Sequence, residues 1–213
     1  MRALIVIYLL TILFAFIAGM RNYRHLSVAE QRFVPLLGIT VLVELIAFGM
    51  AISHTNNMAL YQMFSLLSYF LIIRYFYYAL DSFLSRTNFH ILLLFGISAF
   101  TLNLLLLQPL EVFNSHFFMV MSVVIICLGL FTFFRLLTTK NGGRLSNSRR
   151  FWMNAILVMF WSITFLHWGL YNVLDQLLGL HLWLVHVFLV LINIATYTGF
   201  GIVLASKRLD RVG

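Results

Sequence analysis

Seven stretches of the chain, roughly 3–20, 33–52, 59–80, 90–107, 116–137, 151–170 and 180–205, are strongly apolar and separated by polar connectors. A hydrocarbon core about 30 Å thick takes about 20 residues of helix, so these stretches have the length to cross a bilayer. Strands of a membrane barrel would be shorter and would alternate apolar with polar positions, which these do not. The pattern predicts an all-α polytopic membrane protein, a bundle of seven transmembrane helices forming one domain over residues 1–213. Connectors such as RNYRHLSVAEQR, SHTNNM and TTKNGGRLSNSRR are no longer than about fifteen residues and leave no room for a soluble domain between spans.

Local signals refine the plan. The spacing Ser27-Val28-Ala29-Glu30 is that of a capping box, so a helix is expected to start inside the first connector, with Pro35 bending it soon after. Gly142-Gly143 breaks the longest connector and Pro109 sits in another.

Composition supports the same class. Hydrophobic residues make up 62 % and charged residues 9 %, against about 25 % charged in soluble chains, and the mean hydropathy is +0.99. A soluble fold could not hide that much apolar surface, and disorder requires the opposite balance. A net charge of +8 suggests nucleic acid only until the charges are located. Eleven of the fourteen Lys and Arg fall on one side: Arg21, Arg24, Arg32, Arg86, Lys140, Arg144, Arg149, Arg150, Lys207, Arg208 and Arg211. Arg2 lies on the other side with Glu111 and Asp175, while Arg74 and Arg135 fall within spans. The positive-inside rule then places the N-terminus outside and the C-terminus in the cytoplasm. A cleaved leader at the first span would leave Arg21, Arg24 and Arg32 outside and invert every later loop, against that rule. The expected partner is the lipid bilayer, not nucleic acid. Cys127 is the only cysteine, which excludes a disulfide framework or a thiolate metal cluster within the chain.

Ionisable groups inside a membrane are costly and tend to mark function. Glu44 lies near the middle of span 2, on a helical face with Leu37, Thr40, Val41, Ala47, Phe48 and Ala51. The small residues there suit close helix contact, so Glu44 is expected to point into the bundle. Arg74 lies in span 3 nearer the basic side. Symmetric pairing across the 53–58 turn sets residue 67 beside Glu44, so a Glu44–Arg74 bridge must span seven residues, about 10 Å of rise. The alternatives are that Arg74 snorkels to the inner surface or pairs with Asp81 as an inner latch.

A second group occupies the outer half of spans 6 and 7. His167 shares a face with Phe160, Thr164 and Tyr171, beside Trp161 and Trp168. His186, Asn193 and Tyr197 share a face of span 7. A pocket open to the outside and lined by Glu44, His167, His186 and Asn193 fits these depths. Membrane histidines also simply bridge helices, and aromatics crowd interfaces in any case.

Sharper chemistries fail on spacing. A zinc hydrolase wants histidines on one helical face, and His181 and His186, five apart, differ by about 140°. A retinal Schiff base needs a lysine in the last span, but Lys140 and Lys207 lie in a connector and the tail. A haem on His167 and His186 has no further marker. No phosphate loop or serine triad is visible. No catalytic residue, metal site or cofactor is therefore assigned.

FWMNAILVMFWSITFLHWGLYNV (151–173) and HLWLVHVFLVLINIATYTGFGIVLASK (181–207) resemble a widespread group of small bacterial seven-helix membrane proteins of uncharacterised function. The matching positions are Phe151, Trp152 and Asn154, then Trp183, His186 and Asn193, with Glu44 at the group's acidic position in span 2. Ser68-Tyr69 stands where those proteins often carry an acidic residue in span 3. Related seven-helix regions are similar to the sensing portions of some bacterial histidine kinases. The resemblance implies a multi-pass protein of the bacterial cytoplasmic (inner) membrane engaged in signalling. The expected function is a receptor-like module that binds a small or lipophilic ligand through Glu44, His167, His186 and Asn193. It would act on a cytoplasmic or membrane partner touching loop 138–150 and tail 206–213. The alternative is a small-solute transporter with Glu44 as proton carrier, and behind it a membrane-embedded metal hydrolase.

Overall fold

Among the described residues α-helices occupy seven stretches: α1 (Arg2–Arg21), α2 (Val28–Ile52), α3 (Met58–Leu80), α4 (Arg86–Leu106), α5 (Ser115–Thr139), α6 (Arg149–Leu178) and α7 (Leu182–Ala205). The computed structural model describes residues 2–80, 83–139, 145–178, 182–206 and 209, with the side chains of 2, 139, 146, 170–178 and 182–185 left out. Each of the seven helices contains a stretch long and apolar enough to cross a membrane, and no strand occurs among the described residues.

The largest departure from the apolar pattern is α6, which continues to Leu178 where the apolar run ends near residue 170. Hydropathy reads immersion in lipid, whereas a helix can continue beyond the membrane on local propensity. The start of α4 moves from residue 90 to Arg86 because Ser85 caps it: its Oγ accepts from the Asn88 amide at 3.1 Å. At the start of α2 the Glu30 carboxylate accepts from the Ser27 amide at 2.9 Å, and the helix runs on through Pro35.

The helices form a ring of six. In order around it stand α1, α2, α3, α5, α6 and α7, and α7 closes back on α1; α4 packs outside, against α3 and α5. Tyr8 meets Tyr197 toward one end of the α1–α7 contact and Gly19 approaches Leu204 toward the other, so these two neighbours run parallel. Lipid tails are as apolar as leucine, so helix association in a membrane depends on close fit. Several glycines provide it, two of them most closely within the ring. The Phe14 ring lies on α7 where a Cβ at Gly201 would stand, and Val158 of α6 occupies the corresponding space at Gly129 of α5. Asn154, fully buried on α6, also donates from Nδ2 to the Gly129 carbonyl at 2.8 Å. Outward-facing Leu42, Leu94, Leu105 and Ile202 are exposed, as side chains in contact with lipid should be.

At the basic end the ring is tied by one buried guanidinium. Arg149, 3 % exposed, pairs with Glu30 at 3.3 Å and donates to the carbonyls of Val203 (3.2 Å), Ser206 (2.7 Å) and His25 (3.4 Å). Arg150 donates to the Ala79 carbonyl at 3.2 Å. A helix leaves its last carbonyls unsatisfied at the negative end of its dipole, so cations are favoured there. The pair that begins α6 thus holds the C-terminal ends of α7 and α3 and, through Glu30, the start of α2.

Candidate functional site

The ring encloses a cavity of about 210 Å³, with walls from all six ring helices and none from α4. On α2 the spacing Leu37, Thr40, Glu44 puts three residues on one helical face, and all three line the cavity. The Glu44 carboxylate is held from two sides. Tyr8 Oη of α1 donates to Oε1 at 2.8 Å, and Tyr61 Oη of α3 donates to Oε2 at 3.1 Å. A third tyrosine, Tyr197 of α7, lines the same cavity and sets its ring 6.0 Å from that of Tyr8.

Hydroxyls within the bundle divide into two sets. Thr40, Ser65, Ser122 and Thr132 each return their hydroxyl to a carbonyl three or four residues back in the same helix, the usual way to satisfy such a group inside a helix. Ser68 and Thr196 do not. Both are more than nine-tenths buried, both line the cavity, and neither hydroxyl has a protein partner. Asn193 lines the same cavity and donates from Nδ2 to the Leu189 carbonyl at 2.9 Å.

A vestibule of about 490 Å³, with Gln108, Ser115 and His186 in its wall, lies at the end of the bundle away from the Arg149 clamp. Tyr61, Phe113 and Trp168 line both spaces, so the three form the partition between them. Phe113 and Trp168 stack with centroids 3.9 Å apart, and Phe118 stacks behind Phe113 at 5.2 Å. Phe113 sits on the loop 107–114, which is fixed from below. Gln62, buried on α3, donates from Nε2 to the Pro109 and Val112 carbonyls, both at 2.7 Å. Asn103 donates to Asn114 Oδ1 at 2.6 Å and Gln108 to Ser115 Oγ at 2.8 Å. Replacing Gln62 by leucine removes both of its bonds and should cost about 1–3 kcal/mol in stability. A cysteine placed at Val112 should then react faster with an external thiol reagent; an unchanged rate would mean that other contacts suffice to hold the loop.

The structure distributes the residues expected to form one site. Glu44 and Asn193 share the cavity. His186 is exposed and lies in the vestibule wall. His167 is 6 % exposed and meets Trp168 edge to face at 4.7 Å; it is not part of the cavity wall. Phe160, Trp161, Thr164 and Trp168 of the same helix do face the cavity. Arg74 is exposed, Glu44 takes its hydrogen bonds from tyrosines, and Asp81 lies outside the described residues. His181, Lys140 and Lys207 lie outside them too. No cluster of His, Cys, Asp or Glu among the described residues could hold a metal ion.

Three features were not foreseen from the sequence: the tyrosines on Glu44, the Phe113 partition and the Arg149 clamp. Tyrosine in a membrane chain first suggests the interfacial belt. Only three-dimensional proximity shows that Tyr8, Tyr61 and Tyr197, from three helices, meet around one carboxylate.

Comparison with protein-family models, with curated proteins and with solved structures finds no match to this chain. Its function is therefore argued from the geometry.

Proposed function

We propose that the protein is a receptor-like regulatory module of the bacterial cytoplasmic membrane, N-terminus outside, that binds a small ligand in the central cavity. The observation that carries this reading is the wall itself. A carboxylate held by two tyrosines faces a closed ring of helices, with two unsatisfied hydroxyls on the same space. Polar groups left without partners at membrane depth are costly, and intramembrane polar clusters mark binding sites.

Two helices link this wall to the opposite end. α2 carries Thr40 and Glu44 at the cavity and Glu30 at the Arg149 clamp; α7 carries Asn193 and Thr196 at the cavity and Val203 near the clamp. A ligand that repositions either helix therefore biases the clamp, which is a coupling between two sites through shared rigid elements. The partner would read this end, through loop 138–150 and tail 206–213, most of whose residues lie outside those described. The likeness to sensing regions agrees with that direction of signal. Transport with Glu44 as proton carrier is the second reading, favoured by a carboxylate next to a vestibule. Against it, Phe33 and Phe200 stand in the cavity wall toward the basic end with ring centroids 4.8 Å apart.

Filling the cavity from α3 with Ser68→Phe tests the coupling. Amide exchange at Glu30 on α2 and at Val203–Ser206 on α7 should change by about threefold or more, although neither segment lines the cavity. A change confined to the cavity walls would overturn the receptor reading. Glu44-dependent, proton-coupled uptake of a solute into proteoliposomes would replace it with transport.

A further inference from the structure

We infer that the ligand is a small organic ammonium ion, held with its charge on Glu44 and its apolar body against the aromatic walls. This rests on the cavity being a ligand site, as proposed above, and adds the class of ligand.

The charge balance comes first. Among the described residues that line the cavity the only formally charged side chain is Glu44, and no Arg, Lys or His joins it. The ion pair found among the described residues, Arg149 with Glu30, lies at the other end of α2. An anionic ligand would meet a carboxylate with no compensating cation. A neutral ligand could accept or donate a hydrogen bond but would leave a buried carboxylate that only a proton could neutralise. An ammonium ion removes that imbalance.

Hydrogen-bonding capacity points the same way. A carboxylate offers about four acceptor positions. Tyr8 and Tyr61 occupy one on each oxygen, so acceptor capacity remains for the N–H groups of a ligand. The hydroxyls of Ser68 and Thr196, without protein partners on the same cavity, supply further acceptors.

The walls complete the match. Eleven of the twenty-four lining residues are aromatic, among them Tyr8, Tyr61, Tyr197 and Trp161. Aromatic faces attract alkylammonium groups through the ring quadrupole, and the attraction grows as the cation is desolvated. A volume of about 210 Å³ is below the roughly 300–1,000 Å³ of pockets for drug-sized ligands, which limits the guest to a small amine. Access is also favourable for a cation: Glu111 is exposed on the loop 107–114 that borders the vestibule, and among the described residues no Arg or Lys joins His186 in the vestibule wall.

The test uses the full chain in nanodiscs and two radiolabelled probes, n-butylammonium and 2-phenylethylammonium, with 1-butanol and 2-phenylethanol as neutral counterparts of similar shape. At least one ammonium probe should bind saturably at one site per chain, and its neutral counterpart should compete at least about tenfold more weakly. Glu44→Gln, which keeps the shape and removes the charge, should weaken the ammonium probe by a similar factor without weakening the neutral one. The comparison of charged with neutral probes is made on the unaltered protein, so it stands even if the variant fails to fold. Equal binding of a neutral counterpart, or binding of the neutral probes alone, would overturn the ammonium assignment while leaving the cavity as a ligand site. Absence of saturable binding by all four probes would overturn both.

Discussion

Arg149→Ala should lower the stability of the purified protein by about 3–5 kcal/mol, the range observed when one partner of a buried ion pair is removed. The expected loss has two parts. Glu30, with a side chain 3 % exposed, keeps its amide bond from Ser27 but loses its cation. The carbonyls of Val203, Ser206 and His25 lose a donor together, and each is a terminal or loop group with few alternatives. Chemical denaturation in a defined micelle provides the measurement. The double variant Arg149→Met, Glu30→Gln removes both charges and should recover part of the loss, because an uncompensated buried charge costs more than a missing pair. A single-variant loss below about 1 kcal/mol, the level of an exposed pair, would show that water reaches the clamp.

Gly129→Leu is the second large effect. The space a side chain would take at position 129 holds Val158, with the Asn154 amide just behind it. The variant must part α5 from α6 or force Val158 from its rotamer, and overpacking of this kind costs about 1–3 kcal/mol, occasionally more. Separation would also stretch the bond from Asn154 to the Gly129 carbonyl. Gly49→Ala is the matched control: nothing stands within 4 Å of a Cβ there, and it should be neutral or slightly stabilising, since glycine within a helix costs roughly 0.5–1 kcal/mol relative to alanine. Denaturation midpoints of the two variants separate a steric effect from a general intolerance of substitution. If both behave alike, close approach of α5 and α6 is not what makes position 129 special.

The spans were legible because crossing a membrane demands one property, continuous apolarity over a fixed length, which sequence displays directly. The inward orientation expected for Glu44 followed from the small residues on its face, and Asn193 on α7 lines the same cavity. The ring order was not legible. Apolar side chains surround these helices on nearly every side, so no amphipathic stripe indicates that α7 should meet α1 or that α4 should stand outside. Arg149 and Glu30 were visible as a topology marker and a capping residue, and each has that position in the chain. Their meeting depends on contacts between residues 119 apart in sequence, which local pattern does not encode. His167 and His186, expected to share one pocket, do not: His167 packs against Trp168 outside the cavity wall and His186 lies in the vestibule wall, a matter of helix rotation and packing that local pattern does not encode.

The parallel contact of α1 with α7 governs when the cavity comes into existence. Helices enter the membrane in the order of synthesis, and the first six can pair with chain neighbours as they arrive. The wall between α6 and α1 stays open until α7 inserts and docks on α1, with Gly201 against Phe14. Until then Glu44 has Tyr8 and Tyr61 but no closed room around it, and the carbonyls of Val203 and Ser206 have not reached Arg149. Closure of the cavity and closure of the clamp are therefore acquired in one late step of biogenesis. A nascent chain that stalls before α7 will have six of the seven described spans but neither an enclosed cavity nor a closed clamp.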